Sequence, residues 1–463
     1  MYDKLRRNAV WAVFEVLGSS LALFFLYRIV VRHLGIEALG VWSLVVATTS
    51  LGRFADLGTA AGLGRFVATA QARQDTGRTI DYVETAVVTN FLLYLGIALL
   101  LWGPAWYGLS LVMEPHALAS GRQLLPYSLL SFVLVSVSSA TTGAIVGQHR
   151  SDQKSMISLA GTLTQLFVSL LFVARYGLPA LAWAQIVQNM VVIAASWLLF
   201  LRNHFGAWAF RLPVHWRKDV FRELIGFGMK LQAVSIAGML YDPAIKFLMS
   251  SEGGLKFLGY FEMAQRLILQ VRQLVLMPNQ VLVPGFAHLM ESEPEKVGPL
   301  YHRAMVFSCL FGLPMLGGVT LLSPLISYVW IGHVEPRFVL LVVILSAGWF
   351  VNLMGAPATL LGMGIGRVRW NVLSACLTTA GSCVLGYALG HFFGGFGVAF
   401  AAGCMLILGA SLNTIMNCRM MGIAILPGIL DFRDALRQLC DFIRPGRRKA
   451  GAVKAFQEHS QPH

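Results

Sequence analysis

The chain has 463 residues, of which 56% are hydrophobic and only 13% are charged. A water-soluble chain of this length has no cores large enough to bury that much apolar surface, so its solvent is lipid. The formal net charge of +14 lies mainly in the connections between apolar stretches. It therefore reflects membrane topology and does not favour a nucleic-acid partner.

Twelve stretches are apolar over roughly the 20 residues that one membrane crossing needs. Six lie in the first half, near 8–31, 39–64, 84–110, 124–148, 156–175 and 179–201. Six lie in the second half, near 222–250, 257–288, 303–331, 337–363, 369–392 and 396–422. The basic amino terminus with its apolar run is longer than the core of a signal peptide, so we interpret it as the first span. The pattern predicts an all-α polytopic membrane protein of about 12 helices.

The positions of Lys and Arg predict the orientation, because the cytoplasmic side retains these residues during insertion. With the amino terminus inside, the inside segments carry 25 Lys and Arg residues, the outside turns carry five, and six lie within spans. This count predicts a multi-pass protein with both termini in the cytoplasm.

The two halves resemble each other in sequence. Residues 34–40 (LGIEALG) match residues 253–259 (GGLKFLG) at an offset of 219. Two more turns match at an offset of 217: Gly147–Arg150 with Gly364–Arg367, and Tyr176-Gly177 with Phe393-Gly394. Because six spans are an even number, both halves enter the membrane from the same side. The repeat is then parallel, with its pseudo-two-fold axis along the membrane normal.

These matches predict a domain organisation. An amino-terminal six-helix lobe covers residues 1–212, and a carboxy-terminal six-helix lobe covers residues 213–428. The last part, residues 429–463, is predicted to be a cytoplasmic amphipathic helix up to residue 444, followed by a basic disordered tail.

Ionisable residues inside spans are costly in lipid and usually face a cavity, a partner or a transport pathway. Helical spacing allows three pairs on single helix faces: Arg53 with Asp56, Asp242 with Lys246, and Glu262 with Arg266. The other basic residues within spans are Arg28, Lys230 and Arg272. If they face one cavity, it is cationic and suited to an anion.

These charged residues could also have purely structural roles instead of lining a cationic cavity. Arg28 and Lys230 lie near enough to helix ends to extend to the membrane interface. The three pairs would look the same in sequence if they only joined helices within a lobe. Asp242 precedes Pro243, and this proline predicts a break in span seven next to a buried charge.

Motifs for catalysis are missing from the sequence. It contains no G-x-S-x-G, H-E-x-x-H or Walker motif, and its six cysteines form no C-x-x-C pair. No outside turn is long enough to carry a glycan polymerase or ligase site. We therefore expect no enzyme activity, no catalytic residues, no metal and no bound cofactor.

The stretch from Arg7-Asn8 to Ala68 resembles the opening of the bacterial polysaccharide flippases. These are O-antigen-type exporters of the multidrug/oligosaccharidyl-lipid/polysaccharide (MOP) superfamily. In the second half, Tyr241-Asp242 and the string Leu258-Gly259-Tyr260-Phe261-Glu262-Met263-Ala264-Gln265-Arg266-Leu267 are similar to that family's seventh and eighth spans. Two features depart from the family: proline follows Asp242 where a basic residue is common, and many members have 14 spans.

The resemblance implies a MATE-like arrangement of two lobes in the bacterial inner membrane, with alternating access around a cationic central cavity. The substrate would be an undecaprenyl-diphosphate-linked oligosaccharide for surface polysaccharide and lipopolysaccharide biosynthesis. The implied partners besides the lipid bilayer are a glycan polymerase and assembly proteins. The implied substrate-binding residues are Arg28, Arg53, Lys230, Lys246, Arg266 and Arg272. Asp56, Asp242 and Glu262 would hold the basic groups or bind a coupling H⁺ or Na⁺.

Several other functions remain open. A MATE-type drug exporter shares the plan, but a site that selects cations should be rich in acids, whereas these spans carry an excess of bases. A lipid II flippase differs mainly in its cargo. A protein that only scaffolds a glycan-assembly complex would keep its function when the charges within its spans are neutralised. A membrane acyl- or glycosyltransferase would need a cluster of His, Asp or Glu residues on a long outside loop, and the sequence shows none.

Overall fold

The structure is a computed structural model that describes residues 2–52, 59–208, 210–279, 282–428 and 432–433. Its α-helices are α1 (Tyr2–Leu34), α2 (Ile36–Ser50), α3 (Thr59–Ala72), α4 (Thr76–Val112), α5 (Pro115–Gly147), α6 (Ser151–Tyr176), α7 (Leu178–Phe205), α8 (Lys218–Met239), α9 (Tyr241–Asn279), α10 (Leu282–Ser292), α11 (Val297–Ile331), α12 (Pro336–Met354), α13 (Ala356–Gly364) and α14 (Arg369–Met421). A short 3₁₀-helix, Pro294–Lys296, precedes α11. The chain is an all-α, multi-pass membrane protein.

Eight segments of the described chain are long and apolar enough to cross a membrane. One of them is α14, which contains two predicted spans separated by a turn at Gly394. The three predicted spans that do not appear among the eight are divided in the structure. The second predicted span consists of α2 and α3, the seventh of α8 and the start of α9, and the eighth of the rest of α9 and α10.

The division of span seven lies beside Pro243. Helix α8 ends at Met239 and α9 begins at Tyr241, which places Pro243 in the first turn of α9. A proline is tolerated there because its missing N–H would have no partner within the helix anyway. The break therefore lies where Pro243 predicts it, directly beside Asp242.

The repeat predicted from three turns appears in the backbone geometry. Gly35 and Gly254 share one left-handed conformation, with φ/ψ of 83°/170° and 77°/169°. Gly177 and Gly394 share another, with 68°/−144° and 60°/−149°. At the third match, His149 and Gly366 both have positive φ, 58° and 72°. The molecule consists of two six-helix lobes related by a parallel pseudo-two-fold axis; the exact lobe boundaries stay a prediction.

Among the described residues, the helices of the two lobes pack together mainly at one end. One continuous hydrophobic cluster joins them near the turns at Gly35 and Gly254, and we call this the closed end. Towards the opposite end the core divides in two. One cluster contains Leu63 and Val67 of the first lobe together with Val220 and Leu224 from the start of α8, and the other contains Phe286 and Tyr301 of the second lobe. We call this opposite end the split end.

The connection between the lobes is attached to the first lobe. Glu84, fully buried in α4, accepts a hydrogen bond from Arg211 Nε at 2.5 Å and lies 3.1 Å from His215 Nδ1. The indole of Trp197 donates to the backbone carbonyl of Arg211 at 2.6 Å. Val220 and Leu224, at the start of α8, then pack in the first lobe's cluster. The amphipathic helix predicted for residues 429–444 lies almost entirely outside the described residues.

Candidate functional site

The closed end depends on a close contact between α2 and α9. A Cβ atom on Gly40 would overlap the carbonyl oxygen of Leu255, and a Cβ atom on Gly259 would overlap that of Ile36. Gly40 and Gly259 occupy equivalent positions in the repeat, as do Ile36 and Leu255. The two helices therefore meet symmetrically, with each glycine against the backbone of the other lobe.

One turn further from the closed end, Glu262 joins the two lobes. This buried carboxylate accepts hydrogen bonds from Ser43 Oγ at 2.7 Å and from Tyr27 hydroxyl at 3.2 Å, both in the first lobe. It also forms an ion pair with Lys246 of its own lobe at 2.9 Å. Opening the closed end would remove the first two partners and leave a buried carboxylate under-satisfied, which is energetically unfavourable.

Lys246 lies between two acids. Its Nζ is 3.0 Å from Asp242 as well as 2.9 Å from Glu262, and the side chain is only 9% exposed. Gln265 donates to the other oxygen of Asp242 at 2.7 Å. Arg266 Nε lies 3.9 Å from Glu262 and 3.4 Å from the Tyr27 hydroxyl. With two acids and two bases, this cluster is formally neutral; we call it the seam cluster.

Arg272 lies elsewhere, in a cavity of about 370 Å³ formed by helices of the second lobe. Its guanidinium carbon is 4.8 Å from the ring centroid of Trp349, and its Nη2 donates to Asn352 Oδ1 at 2.9 Å. Tyr241 packs edge-on against Trp349, with ring centroids 6.2 Å apart. Stacking on an aromatic face and one fixed hydrogen bond hold the guanidinium in a defined plane.

The remaining wall of this cavity is polar but uncharged. Asn371 donates to the Thr359 carbonyl at 2.9 Å, and Asn413 donates to the Thr359 hydroxyl at 2.8 Å. Arg272 is the one formally charged side chain among the described residues that line it, and no carboxylate accompanies it. We call this the Arg272 cavity.

The described basic residues of the predicted cavity lie at different places in this structure. Lys246 and Arg266 belong to the seam cluster, Arg272 belongs to its own cavity, and Arg28 is exposed on α1. Arg53 and Asp56 lie outside the described residues, and so does the side chain of Lys230. Glu15, a further acid within a span, is paired with Lys154 of its own lobe at 2.6 Å. A single cavity lined by all six basic residues stays a prediction.

Several site residues were not identified from the sequence because they are uncharged. Tyr27 and Ser43 complete the seam cluster, while Trp349 and Asn352 position Arg272. The repeat did contain a signal for one of them. Ser43 and Glu262 are 219 residues apart, which is the offset of the first matching turn, so residues at equivalent positions meet at the axis.

Comparison with solved structures shows which fold the chain has. The chain is similar to an inward-facing multidrug resistance MATE family transporter of the MOP superfamily, with 12% identity, a TM-score of 0.75, and coverage of 89% of this chain and 98% of that one. An outward-facing MATE transporter matches with 12% identity, a TM-score of 0.65, and 90% and 95% coverage. The lipid II flippase MurJ, in an inward closed conformation, matches with 12% identity, a TM-score of 0.67, and 92% and 89% coverage. The fold is that of MOP superfamily transporters.

The family follows from the sequence. The model of the family described as "Polysaccharide biosynthesis protein" matches residues 29–333, and the chain belongs to that family. This agrees with the resemblance noted in the first and second spans and repeated in the seventh and eighth. A search of curated proteins gave no match.

Proposed function

We propose that this protein is a flippase that moves an undecaprenyl-diphosphate-linked oligosaccharide from the inner to the outer leaflet of the bacterial cytoplasmic membrane. The observation that carries the proposal is the combination of the polysaccharide biosynthesis family with a two-lobe transporter fold that is sealed at one end and divided at the other. A glycan head group needs a polar route across the membrane, whereas its lipid tail can stay in the bilayer.

The proposed orientation makes this conformation inward-facing. The distribution of Lys and Arg puts the turns at Gly35 and Gly254 outside, so the split end opens to the cytoplasm. A higher TM-score with the inward-facing MATE transporter than with the outward-facing one supports this assignment. Substrate would enter between the lobes from the inner leaflet, and opening of the seam between α2 and α9 would release it outside.

The seam cluster is the proposed place of energy coupling. Opening the closed end takes Ser43 and Tyr27 away from Glu262. Binding of H⁺ or Na⁺ at Glu262 or Asp242 would compensate the carboxylate that loses these partners, and would so favour the open state. A glycan polymerase and other assembly proteins are the proposed partners on the outer side.

The direct test is translocation in proteoliposomes. A fluorescent undecaprenyl-diphosphate oligosaccharide is placed in one leaflet, and its appearance in the other is followed for the wild type, Arg53→Ala and Lys246→Ala at matched insertion. We expect translocation by the wild type and strong loss in both variants. Lipid II and a cationic dye serve as competing cargoes; transport of either one without transport of the oligosaccharide overturns the proposal.

A further inference from the structure

Among the described residues that line the Arg272 cavity, none carries a negative charge that would balance its guanidinium. Arg272 is partly buried, and a guanidinium that loses part of its water is stabilised when an anion pairs with it. The described lining residues supply an aromatic ring, amides and hydroxyls, but no carboxylate. By contrast, Lys246 in the seam cluster has two acids within 3.0 Å. A ligand that carries an anionic group would balance the Arg272 guanidinium.

Three donor groups at the cavity find no hydrogen-bond partner within the part of the chain that the structure describes. They are Nε of Arg272, Nε1 of Trp349 and the hydroxyl of Tyr241. Tyr241 and Trp349 are more than nine-tenths buried and both line the cavity. Buried donors of this kind are normally satisfied, so their state here points to acceptor oxygens supplied by a ligand.

The other lining residues fit a sugar. Asn352, Asn371 and Asn413 line the cavity, and each amide nitrogen has two N–H groups, of which Asn371 and Asn413 each use one to bond Thr359. The remaining N–H groups can donate to sugar hydroxyls. The indole of Trp349 adds an apolar flat surface beside them. A volume of about 370 Å³ lies in the range of small-molecule sites and suits one or two monosaccharide units.

We propose that the Arg272 cavity binds the carboxylate of an acidic sugar in the transported glycan. This inference rests on the proposed flippase function and narrows its cargo to glycans that contain a uronic-acid-type residue. The carboxylate pairs with the Arg272 guanidinium, and the sugar hydroxyls contact the asparagine side chains. The diphosphate remains near the lipid, outside the second lobe.

The test measures binding rather than transport, so it is independent of whether the protein is a flippase. Purified protein in detergent is titrated with glucuronate, glucose and inorganic pyrophosphate, and apparent affinities are derived from the ligand-induced shift of the unfolding temperature. We expect glucuronate to bind at least about tenfold more tightly than glucose, because a charge-assisted bidentate pair adds roughly that much.

Two variants examine the site in different ways. Arg272→Gln should abolish the preference for glucuronate. Asn352→Asp keeps Arg272 but places a carboxylate at the atom that Nη2 already contacts at 2.9 Å, so it should also abolish the preference while preserving the fold. Arg337→Gln, at an exposed arginine outside the cavity, is the matched control and should bind like the wild type.

Each other outcome counts against the proposal. Pyrophosphate that binds more tightly than glucuronate and is lost in both variants would assign the cavity to the diphosphate instead. Equal binding of glucuronate and glucose, no binding at all, or unchanged glucuronate binding in Asn352→Asp would overturn it. If glucuronate binding behaves as expected while no lipid-linked glycan is translocated, the site stands and the flippase function fails.

Discussion

Gly40 and Gly259 occupy equivalent positions in the two lobes, and each lies directly against the backbone of the other lobe. Neither has room for a side chain, because a Cβ atom would overlap the carbonyl oxygen of Leu255 or Ile36. Small residues at such positions let two membrane helices pack with their backbones in contact. The pair thus sets how closely the lobes approach at the closed end.

Substituting either glycine should therefore disfavour the closed end. Overpacking typically costs about 1–3 kcal/mol, and roughly 1.4 kcal/mol changes a conformational equilibrium tenfold. In Gly40→Ala and Gly259→Ala we expect the lobes to part at the seam and approach each other at the split end. Spin labels at Gln71 and Glu291, both exposed near the split end, should report a shorter distance by double electron–electron resonance.

Gly103→Ala is the control, because nothing lies within 4 Å of the added Cβ atom. It should leave the distance distribution unchanged. An unchanged distribution in both seam variants as well would mean that the contact between α2 and α9 does not govern the conformation.

The ion pair of Lys246 with Glu262 should show strong energetic coupling. Glu262→Gln leaves the largely buried Lys246 with only one carboxylate, and breaking such a pair typically costs about 3–5 kcal/mol. Lys246→Met should cost less in the Glu262→Gln background than in the wild type, with a coupling energy of about 1–3 kcal/mol. A double-mutant cycle on unfolding in detergent measures this value.

The exposed pair of Glu293 with Lys296 provides the comparison, since surface pairs contribute about 1 kcal/mol or less. Glu293→Gln should scarcely change stability. Additive effects of the two changes at Lys246 and Glu262 would show that the seam cluster is not a coupled unit.

Glu84 should control the attachment of the connection between the lobes. In Glu84→Gln, Arg211 and His215 lose their carboxylate partner, and hydrogen bonds to a charged group contribute about 1.5–3 kcal/mol. Local opening of the connection should rise about tenfold or more, and limited trypsin cleavage at Arg211 should accelerate by a similar factor. Glu223→Gln alters an exposed pair with Arg78 and should leave the cleavage rate near that of the wild type; equal rates in Glu84→Gln and the wild type would contradict the assigned role.

The sequence predicted the larger features of the fold because those depend on periodic or repeated signals. Apolar stretches about 20 residues long locate spans, and positions such as Gly35 and Gly254 recur because the same left-handed turn is needed twice. Pro243 likewise marked the break in span seven, since proline is best accommodated in a first helical turn.

The candidate site was less predictable, because the presence of a charged residue in a span does not reveal which side chains it contacts in the folded protein. Lys246 and Arg272 look alike as span cations, yet the first is neutralised by Asp242 and Glu262, whereas no described residue of the cavity around the second is an acid. That difference depends on tertiary contacts among helices far apart in sequence. The neutral partners Ser43 and Trp349 carry no signal of their own, although the repeat offset links Ser43 to Glu262.

We expect cargo to cross the membrane only when the lobes separate at the closed end. In a background without the six native cysteines, Glu37→Cys and Lys256→Cys place two thiols at equivalent positions beside the seam, and a short reducible cross-linker joins them. Translocation of the lipid-linked oligosaccharide in proteoliposomes is measured before cross-linking, after it and after reduction. Translocation should stop on cross-linking and return on reduction. Translocation that continues at an unchanged rate with the lobes fully cross-linked would show that separation at the closed end is not required.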